Sequence, residues 1–410
     1  MKKLFPVLLF SMLLWQCQPG DQPSPKTLVQ FDCVKSPAVC VLSQANNEFG
    51  FDVFKKLHEH DPDENLFISP ASIATALTMA LNGAQGETAA EMKNMLRLDN
   101  LSLEEANAAY KAMINTLPAL DHSVDLNIAN SLWYRRGFPV KPPFIELNQE
   151  YFKSQVSALD FDDPGAKDVI NGWVKNETNG LIESIVDNIP QEAIMYLINA
   201  IYFKGDWRHS FDPEKTYSAT FTRADGSETP VSMMEYGGTV QLPLYTAENF
   251  YVIDLPYGDA VYSMTLIVPR HNHTVAEIIP QFNAQNWQQW LTGLEVQELM
   301  LHLPKFKLEY EQSLNRALQD LGMNAAFIPR MADFSKIAEA ELSISQVKHK
   351  SFVEVDEQGT AAAAVTSVEI VLTSLPDYPT IVLNRPFLFA IRENQAGNVL
   401  FLGKMMDPEG

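Results

Sequence analysis

The residues whose types suit catalysis are not spaced as a catalytic site requires. The chain has eight histidines. The two close pairs, His58 with His60 and His271 with His273, lie at a polar helix end and in a polar turn, where solvated side chains are expected rather than a metal centre. There is no GxSxG nucleophile elbow, no HExxH zinc motif, no GxxxxGK[ST] phosphate loop and no GxGxxG dinucleotide loop. We therefore expect no enzyme, no metal site and no cofactor.

The stretch from residue 357 to 374 has an unusual composition. It passes from Gly359, which tolerates backbone angles that other residues avoid, through alanines into a β-branched run, with no proline before Pro376. Its only charge after Glu357 is Glu369, so a period of two residues predicts a strand with one wet face and one buried face of mostly small groups. The buried face would hold Thr360, Ala362, Ala364, Thr366, Val368 and Ile370. An ordinary buried strand and a helix through the alanines are the alternatives.

The composition is that of a globular protein and limits its partners. Of the 410 residues, 46% are hydrophobic and 20% are charged, which is the usual balance for a folded domain with a sizeable core. The formal net charge of −21 repels nucleic acid and acidic polysaccharides. No predicted helix is dense in lysine or arginine, so we expect neither a nucleic-acid partner nor heparin binding.

The N-terminus has the pattern of a targeting signal. Lys2 and Lys3 precede a mostly apolar run at 4–15 that is too short to span a bilayer, so residues 1–16 are predicted to be a signal peptide. The run ends at Cys17 and resembles a bacterial lipoprotein signal, which implies lipidation of Cys17 as the only membrane contact. We expect an exported bacterial protein at the cell surface or in the periplasm. Cleavage elsewhere, followed by secretion, is the alternative.

Residues 17–41 are predicted to be a flexible linker because they are rich in proline, glutamine, serine and aspartate. Cys33 and Cys40 lie close enough in sequence for a small disulfide loop in an oxidising compartment. Two free thiols are the alternative. Residues 42–410 contain no repeat and no linker, so one domain is predicted there.

Hydrophobic periodicity predicts the elements of this domain. A helix over 42–57 ends before Pro62, and a short strand then leads into a fully buried helix that is capped by Ser69 and stops at Asn82. Further helices are predicted at 87–97, 103–117, 167–186 and 313–321. Strands are predicted at 125–134, 195–203, within 219–269, within 296–310, at 343–356 and within 380–406.

Four sequence motifs occur in the order that one protein family shows. They are NLFISP at 65–70, NAIYFKGDW at 199–207, EQGTAAAA at 357–364 and LNRPFLF at 383–389. From about residue 42 to the end, the chain resembles the serpins. The resemblance implies an α+β fold with three β-sheets, about nine helices and an exposed reactive-centre loop. It also implies a strained native state in which that loop can insert into the main sheet.

The resemblance implies roles for residues at three places. The hinge, where the reactive loop begins, is matched by Glu357, Gly359, Thr360, Ala361, Ala362, Ala363 and Ala364. The breach, where a Glu–Lys pair holds the top of the main sheet closed, is matched by Trp207, Lys305 and Glu357. The shutter, a hydrogen-bonded cluster beneath that sheet, is matched by Ser69, Ser72, Asn199 and His349. A satisfied polar core without a switching role is the alternative for the breach and the shutter.

The resemblance also implies a function, that of a monomeric protease inhibitor that acts as a suicide substrate and forms a covalent acyl complex. The hinge has no bulky or proline residue and no charge after Glu357, which favours this over a non-inhibitory binding serpin, the alternative. The family's usual loop length places the reactive bond at Thr373–Ser374, or one residue earlier with Leu372 as the specificity residue. No lysine or arginine lies between Lys350 and Arg385. Elastase-like, subtilisin-like or chymotrypsin-like targets are therefore expected, and trypsin-like ones are not.

Overall fold

The computed structural model describes Cys33 and residues 36–360 and 378–409. Within these residues the chain forms nine α-helices, as predicted. No described helix is both long enough and apolar enough to cross a bilayer. The helices are α1 (Pro37–His60), α2 (Pro70–Leu81), α3 (Gly86–Met95), α4 (Leu103–Thr116), α5 (Pro142–Phe152), α6 (Ala166–Glu177), α7 (Val275–Ile278), α8 (Ala284–Thr292) and α9 (Asn315–Asp320).

The strands of the described residues alternate with these helices without forming a repeated unit. They are β1 (Leu66–Ile68), β2 (Val124–Arg135), β3 (Gln155–Leu159), β4 (Met195–Asp206), β5 (Tyr217–Thr222), β6 (Glu228–Glu235), β7 (Val240–Thr246), β8 (Phe250–Pro256), β9 (Tyr262–Pro269), β10 (Glu295–Pro304), β11 (Phe306–Ser313), β12 (Lys348–Val355), β13 (Gly359–Thr360), β14 (Thr380–Val382), β15 (Phe387–Glu393) and β16 (Val399–Met405).

These strands form a six-stranded sheet and a ten-stranded arrangement. The six-stranded sheet has the order β11-β12-β13-β4-β2-β3, and the larger arrangement has the order β1-β16-β15-β9-β8-β7-β10-β6-β5, with β14 paired to β10. Strand β10 pairs with β7 along its first half and with β6 and β14 along its second half. Two of the three sheets that the resemblance implies are therefore joined here through the long strand β10. The α+β fold is confirmed.

Helix α2 lies at the centre of the fold and contacts β4 of the six-stranded sheet and β16 of the ten-stranded arrangement. Its first turn is fixed by Ser69, whose side chain accepts a hydrogen bond from the backbone of Ser72, and by Pro70, whose ring suits the first helical position. Every residue of the helix except Ala76 is buried. The predicted buried helix is therefore confirmed, and its capped end lies beneath the six-stranded sheet.

Two helix boundaries differ from the predictions by five residues or more. Helix α1 begins at Pro37, five residues before the predicted start at residue 42, because proline is well suited to a first helical turn. Helix α6 ends at Glu177 rather than near Val186. Asn179 and Gly180 follow with φ angles of 50° and 85°, a left-handed conformation that ends an α-helix.

Helices α5, α7 and α8 were not located from the sequence. The two prolines that open α5 look like a helix breaker, yet they occupy the first turn, where a proline costs no hydrogen bond. Helix α8 is short, and only Trp287 and Trp290 are buried along it. Its nine residues are fewer than the window of about 11–18 residues over which a helical period is reliable.

Three phenylalanine rings and one glycine join β1, β15 and β16. The Phe67 ring stacks on Phe401 with centroids 5.1 Å apart and on Phe389 with centroids 5.6 Å apart. Gly403 lies directly opposite Phe389 in the β15–β16 ladder. A Cβ atom on Gly403 would lie 2.3 Å from the Phe389 ring, so the ring occupies the space of a side chain.

We expect Gly403→Ala to destabilise the protein by about 1–3 kcal/mol, because the added methyl group overpacks the core. Gly172→Ala is the matched control, since a Cβ atom on that exposed helical glycine would have no other atom within 4 Å. The control should equal or exceed the wild type in stability. Thermal unfolding midpoints of the three proteins provide the test, and an unchanged midpoint for Gly403→Ala would contradict the packing argument.

Candidate functional site

The first strand-forming residues of the predicted hinge already lie inside the six-stranded sheet. Gly359 and Thr360 form β13, which pairs with Val355 of β12 on one side and with Gly205 and Asp206 of β4 on the other. Thr360 is only 3% exposed. A Cβ atom on Gly359 would lie 2.1 Å from the Gly205 carbonyl oxygen, so only glycine permits this close approach of the two backbones.

Strand β13 fills only the top of the space between β12 and β4. Among the described residues, no ladder joins the lower part of β12 directly to the lower part of β4. β13 is antiparallel to both neighbours, so a strand continuing beyond Thr360 would run down between them. Such a strand would find a backbone edge on each side with which to pair.

Trp207 holds the chain that leads into β13. Its backbone N–H donates to the carbonyl of Gln358 over 2.6 Å, and its indole N–H donates to the carbonyl of Asp356 over 2.9 Å. The ring is 4% exposed and stacks on Tyr257 with centroids 4.5 Å apart. These contacts fix the turn before the hinge against the end of β4.

The predicted Glu–Lys pair is formed at the same place. The Lys305 ammonium lies 2.8 Å from a Glu357 carboxylate oxygen, and the hydroxyl of Thr216 donates to the other oxygen over 2.7 Å. Burial alone would raise the pKa of Glu357, but hydrogen bonds from Lys305 and Thr216 outweigh it and hold the pKa below its usual range. The three predicted breach residues therefore surround the start of the hinge.

Three of the four predicted shutter residues meet beneath the six-stranded sheet. The backbone N–H of Ser69 donates to Nε2 of His349 over 3.1 Å, and the backbone N–H of Ser72 donates to the Ser69 hydroxyl over 3.2 Å. His349 is 5% exposed, and burial lowers its pKa from 6.5 to about 4. The imidazole is therefore neutral near pH 7, as an acceptor at Nε2 must be.

Asn199 belongs to a separate hydrogen-bonded pair. Its side-chain amide donates to Asn130 over 2.7 Å, and Asn130 in turn donates to the carbonyl of Phe152 over 2.8 Å. No hydrogen bond in the described part of the chain joins Asn199 to Ser69, Ser72 or His349. The reason is the register, which places Asn199 opposite Asn130 of the neighbouring strand β2.

Comparison with known proteins gives the family. The family model "Serpin (serine protease inhibitor)" matches residues 44–408. The chain belongs to the serpin family. Human neuroserpin (Homo sapiens) is 33% identical over 376 residues, covering 89% of this chain and 92% of its own, and rat glia-derived nexin (Rattus norvegicus) is 34% identical over 378 residues, covering 90% and 94%. The native structure of the thermophilic serpin tengpin is 35% identical with a TM-score of 0.81, covering 89% of this chain and 94% of tengpin.

This serpin is therefore a protease inhibitor rather than an enzyme, and its partners are target proteases. Several predicted site residues lie outside the described residues. They are Cys17, Ala361, Ala362, Ala363, Ala364, Leu372, Thr373 and Ser374.

The two remaining cysteines form a disulfide. Cys33 is bonded to Cys40, with the Cα atoms 5.7 Å apart. Cys40 lies in the first turns of α1, so the bond ties the chain before the domain to its first helix.

Sequence reasoning missed three residues of this serpin's site. Asn130, Tyr257 and Thr216 have no motif of their own, although an asparagine inside the predicted strand at 125–134 was a usable sign of a buried polar pair. Tyr257 is brought to the hinge by its antiparallel bridge to Trp207, and Thr216 by the position of the turn that precedes β5. No local sequence pattern reveals either contact.

We expect His349 to make stability depend on pH between about 6.5 and 4. In this window the unfolded chain binds a proton at His349 and the folded chain does not, so stability falls as the pH is lowered through it, by up to about 3 kcal/mol. His349→Gln keeps an acceptor for Ser69 but cannot titrate. Urea unfolding at several pH values should show a smaller loss for this variant, and equal losses would contradict the assignment.

Proposed function

We propose that this serpin traps its target protease as a suicide substrate, by inserting the cleaved reactive loop between β12 and β4. The observation that carries the proposal is β13, which places Thr360 between these two strands before any cleavage. Beyond Thr360 the described residues leave a backbone edge on each side. The loop thus has both a starting point and a place to pair.

The side chains of the hinge suit insertion into a packed sheet. If the alternation continues from the buried Thr360, Ala362, Ala364 and Thr366 follow on the same face. All of these are small, and none would carry a charge into the interior, where desolvation costs several kcal/mol. Insertion can then be fast, because none of these residues has to desolvate a charge.

The chemistry proceeds on the protease until insertion stops it. The catalytic serine oxygen attacks the carbonyl carbon of Thr373, an ester forms, and the peptide bond breaks so that Ser374 leaves with a protonated amino group. Insertion of the freed strand pulls the ester and distorts the oxyanion hole and triad that would activate water. The acyl-enzyme persists when insertion outruns deacylation.

The loop sequence determines the class of target that we propose. Thr373 suits the small pocket of elastase-like or subtilisin-like proteases, and Leu372, in the alternative register, suits chymotrypsin-like ones. A trypsin-like pocket would leave its buried carboxylate unpaired against either residue. We further propose an exported monomer, anchored by a lipid at Cys17 or secreted, whose inhibition rate does not respond to heparin because the chain carries a net charge of −21.

The test is to mix the protein with an elastase-like, a chymotrypsin-like and a trypsin-like protease. We expect a complex that survives denaturing electrophoresis with one of the first two and not with the third. The mass of the released C-terminal peptide gives the bond, since a peptide starting at Ser374 assigns Thr373 and one starting at Thr373 assigns Leu372. Cleavage without any stable complex would overturn the proposal and favour a non-inhibitory binding serpin.

We expect Thr360→Arg to convert the inhibitor into a substrate. Thr360 is 3% exposed between two strands, so an arginine there must either bury a charge or keep the hinge outside the sheet. Electrophoresis should show the loop cleaved with little or no complex. Thr220→Arg, on an exposed position of β5, is the matched control and should retain trapping; normal trapping by Thr360→Arg would exclude insertion at this residue.

A further inference from the structure

The hydroxyl of Tyr257 contacts the hinge directly. It lies 2.7 Å from the hydroxyl oxygen of Thr360, and either group is able to donate. Tyr257 is 0% exposed and Thr360 is 3% exposed. Each hydroxyl thus gives the other a buried hydrogen-bond partner, which matters because a buried hydroxyl without a partner destabilises the folded state.

The Tyr257 ring is held in place by its own neighbours. It stacks on Trp207 with centroids 4.5 Å apart and meets the edge of Phe203 with centroids 5.0 Å apart. Its backbone N–H donates to the carbonyl of Tyr262 over 2.9 Å. A Cβ on Gly205, the residue that pairs with Thr360, would lie 3.0 Å from the Tyr257 ring. The hydroxyl therefore has little freedom to follow Thr360 if the hinge moves.

We propose that Tyr257 is a positioning residue that pins Thr360 in the sheet and thereby sets the fraction of cleaved loops that trap a protease. This inference rests on the proposed insertion mechanism. The strand grows from Thr360, so the residue that holds Thr360 fixes both the starting point and the register of all later pairs. Without this hydrogen bond, Thr360 leaves the sheet more often and insertion is slower. Deacylation then releases the protease from a larger fraction of the acyl complexes.

Two single variants remove the hydrogen bond from either side. Tyr257→Phe keeps the ring and its stack on Trp207, and Thr360→Val keeps the shape and β-propensity of threonine while it deletes the hydroxyl. Tyr262→Phe is the matched control. Tyr262 is also fully buried, its ring also meets the edge of Phe203, and its hydroxyl donates to the carbonyl of Leu117, away from the hinge.

The first measurement needs no protease. Hydrogen–deuterium exchange of the peptide that contains Thr360 should be about 5-fold faster in Tyr257→Phe than in the wild type, the factor for one hydrogen bond of ~1 kcal/mol. The control Tyr262→Phe should leave the exchange of this peptide unchanged. An exchange rate in Tyr257→Phe equal to that of the wild type would show that Tyr257 does not hold Thr360 in the sheet. This outcome would overturn the inference whether or not the protein inhibits any protease.

The second measurement is the number of inhibitor molecules cleaved per protease molecule trapped, with a protease that gives a stable complex with the wild type. Tyr257→Phe should raise this number several-fold, while Tyr262→Phe lowers only the thermal midpoint. Both single variants remove the same hydrogen bond. The double variant Tyr257→Phe/Thr360→Val should therefore need no more inhibitor molecules per trapped protease than either single variant. Additive effects would show that Tyr257 acts other than through Thr360 and would overturn the inference. Failure of the wild type to trap any protease would instead reject the proposed function.

Discussion

The structure depends on one constraint, the incomplete pairing between β12 and β4. A sheet gains stability from every backbone ladder it completes, and within residues 36–360 and 378–409 the ladder between these two strands is made only through the two residues of β13. We call the boundary between β12 and β4 the seam, and the other elements are arranged around it. Helix α2 packs against β4 from beneath, the ten-stranded arrangement lies behind that helix, and Trp207 and Lys305 hold the chain at the top.

The charged pair that contacts the hinge lies at the top of the sheet. Glu357 and Lys305 pair at the top, where Lys305 is 39% exposed and water still screens the pair. Beneath the sheet, His349 is neutral because burial lowers its pKa, and the Asn130–Asn199 pair carries no charge. An interior without charged groups is the environment into which a strand of threonine and alanine moves at low cost. For the same reason we expect a charged side chain at position 360 to impair insertion.

The sequence was sufficient for the fold because its strongest signals are local and its motifs are long. The buried α2, with its serine cap and proline, and the apolar strand β4 both form as predicted. The predicted shutter was only partly assembled, since Asn199 pairs with Asn130 through the β2–β4 register and not with His349. Strand register and side-chain contacts between sheets are set by tertiary structure, which a local sequence pattern does not show. Tyr257 and Thr216 were missed for that reason. Helix α5 was missed because proline disrupts the interior of a helix but is favoured in its first turn, where its two prolines lie.

Loop insertion is tested most directly by the thermal unfolding midpoint before and after a single cleavage within residues 361–377, with the cleavage site confirmed by mass. If the freed strand inserts between β12 and β4, it completes both open edges and buries further small side chains. We therefore expect the midpoint to rise clearly, with both fragments remaining in one molecule. An unchanged or lower midpoint after complete cleavage would contradict it, because the seam would then be a fixed feature of the sheet and not a site for the loop.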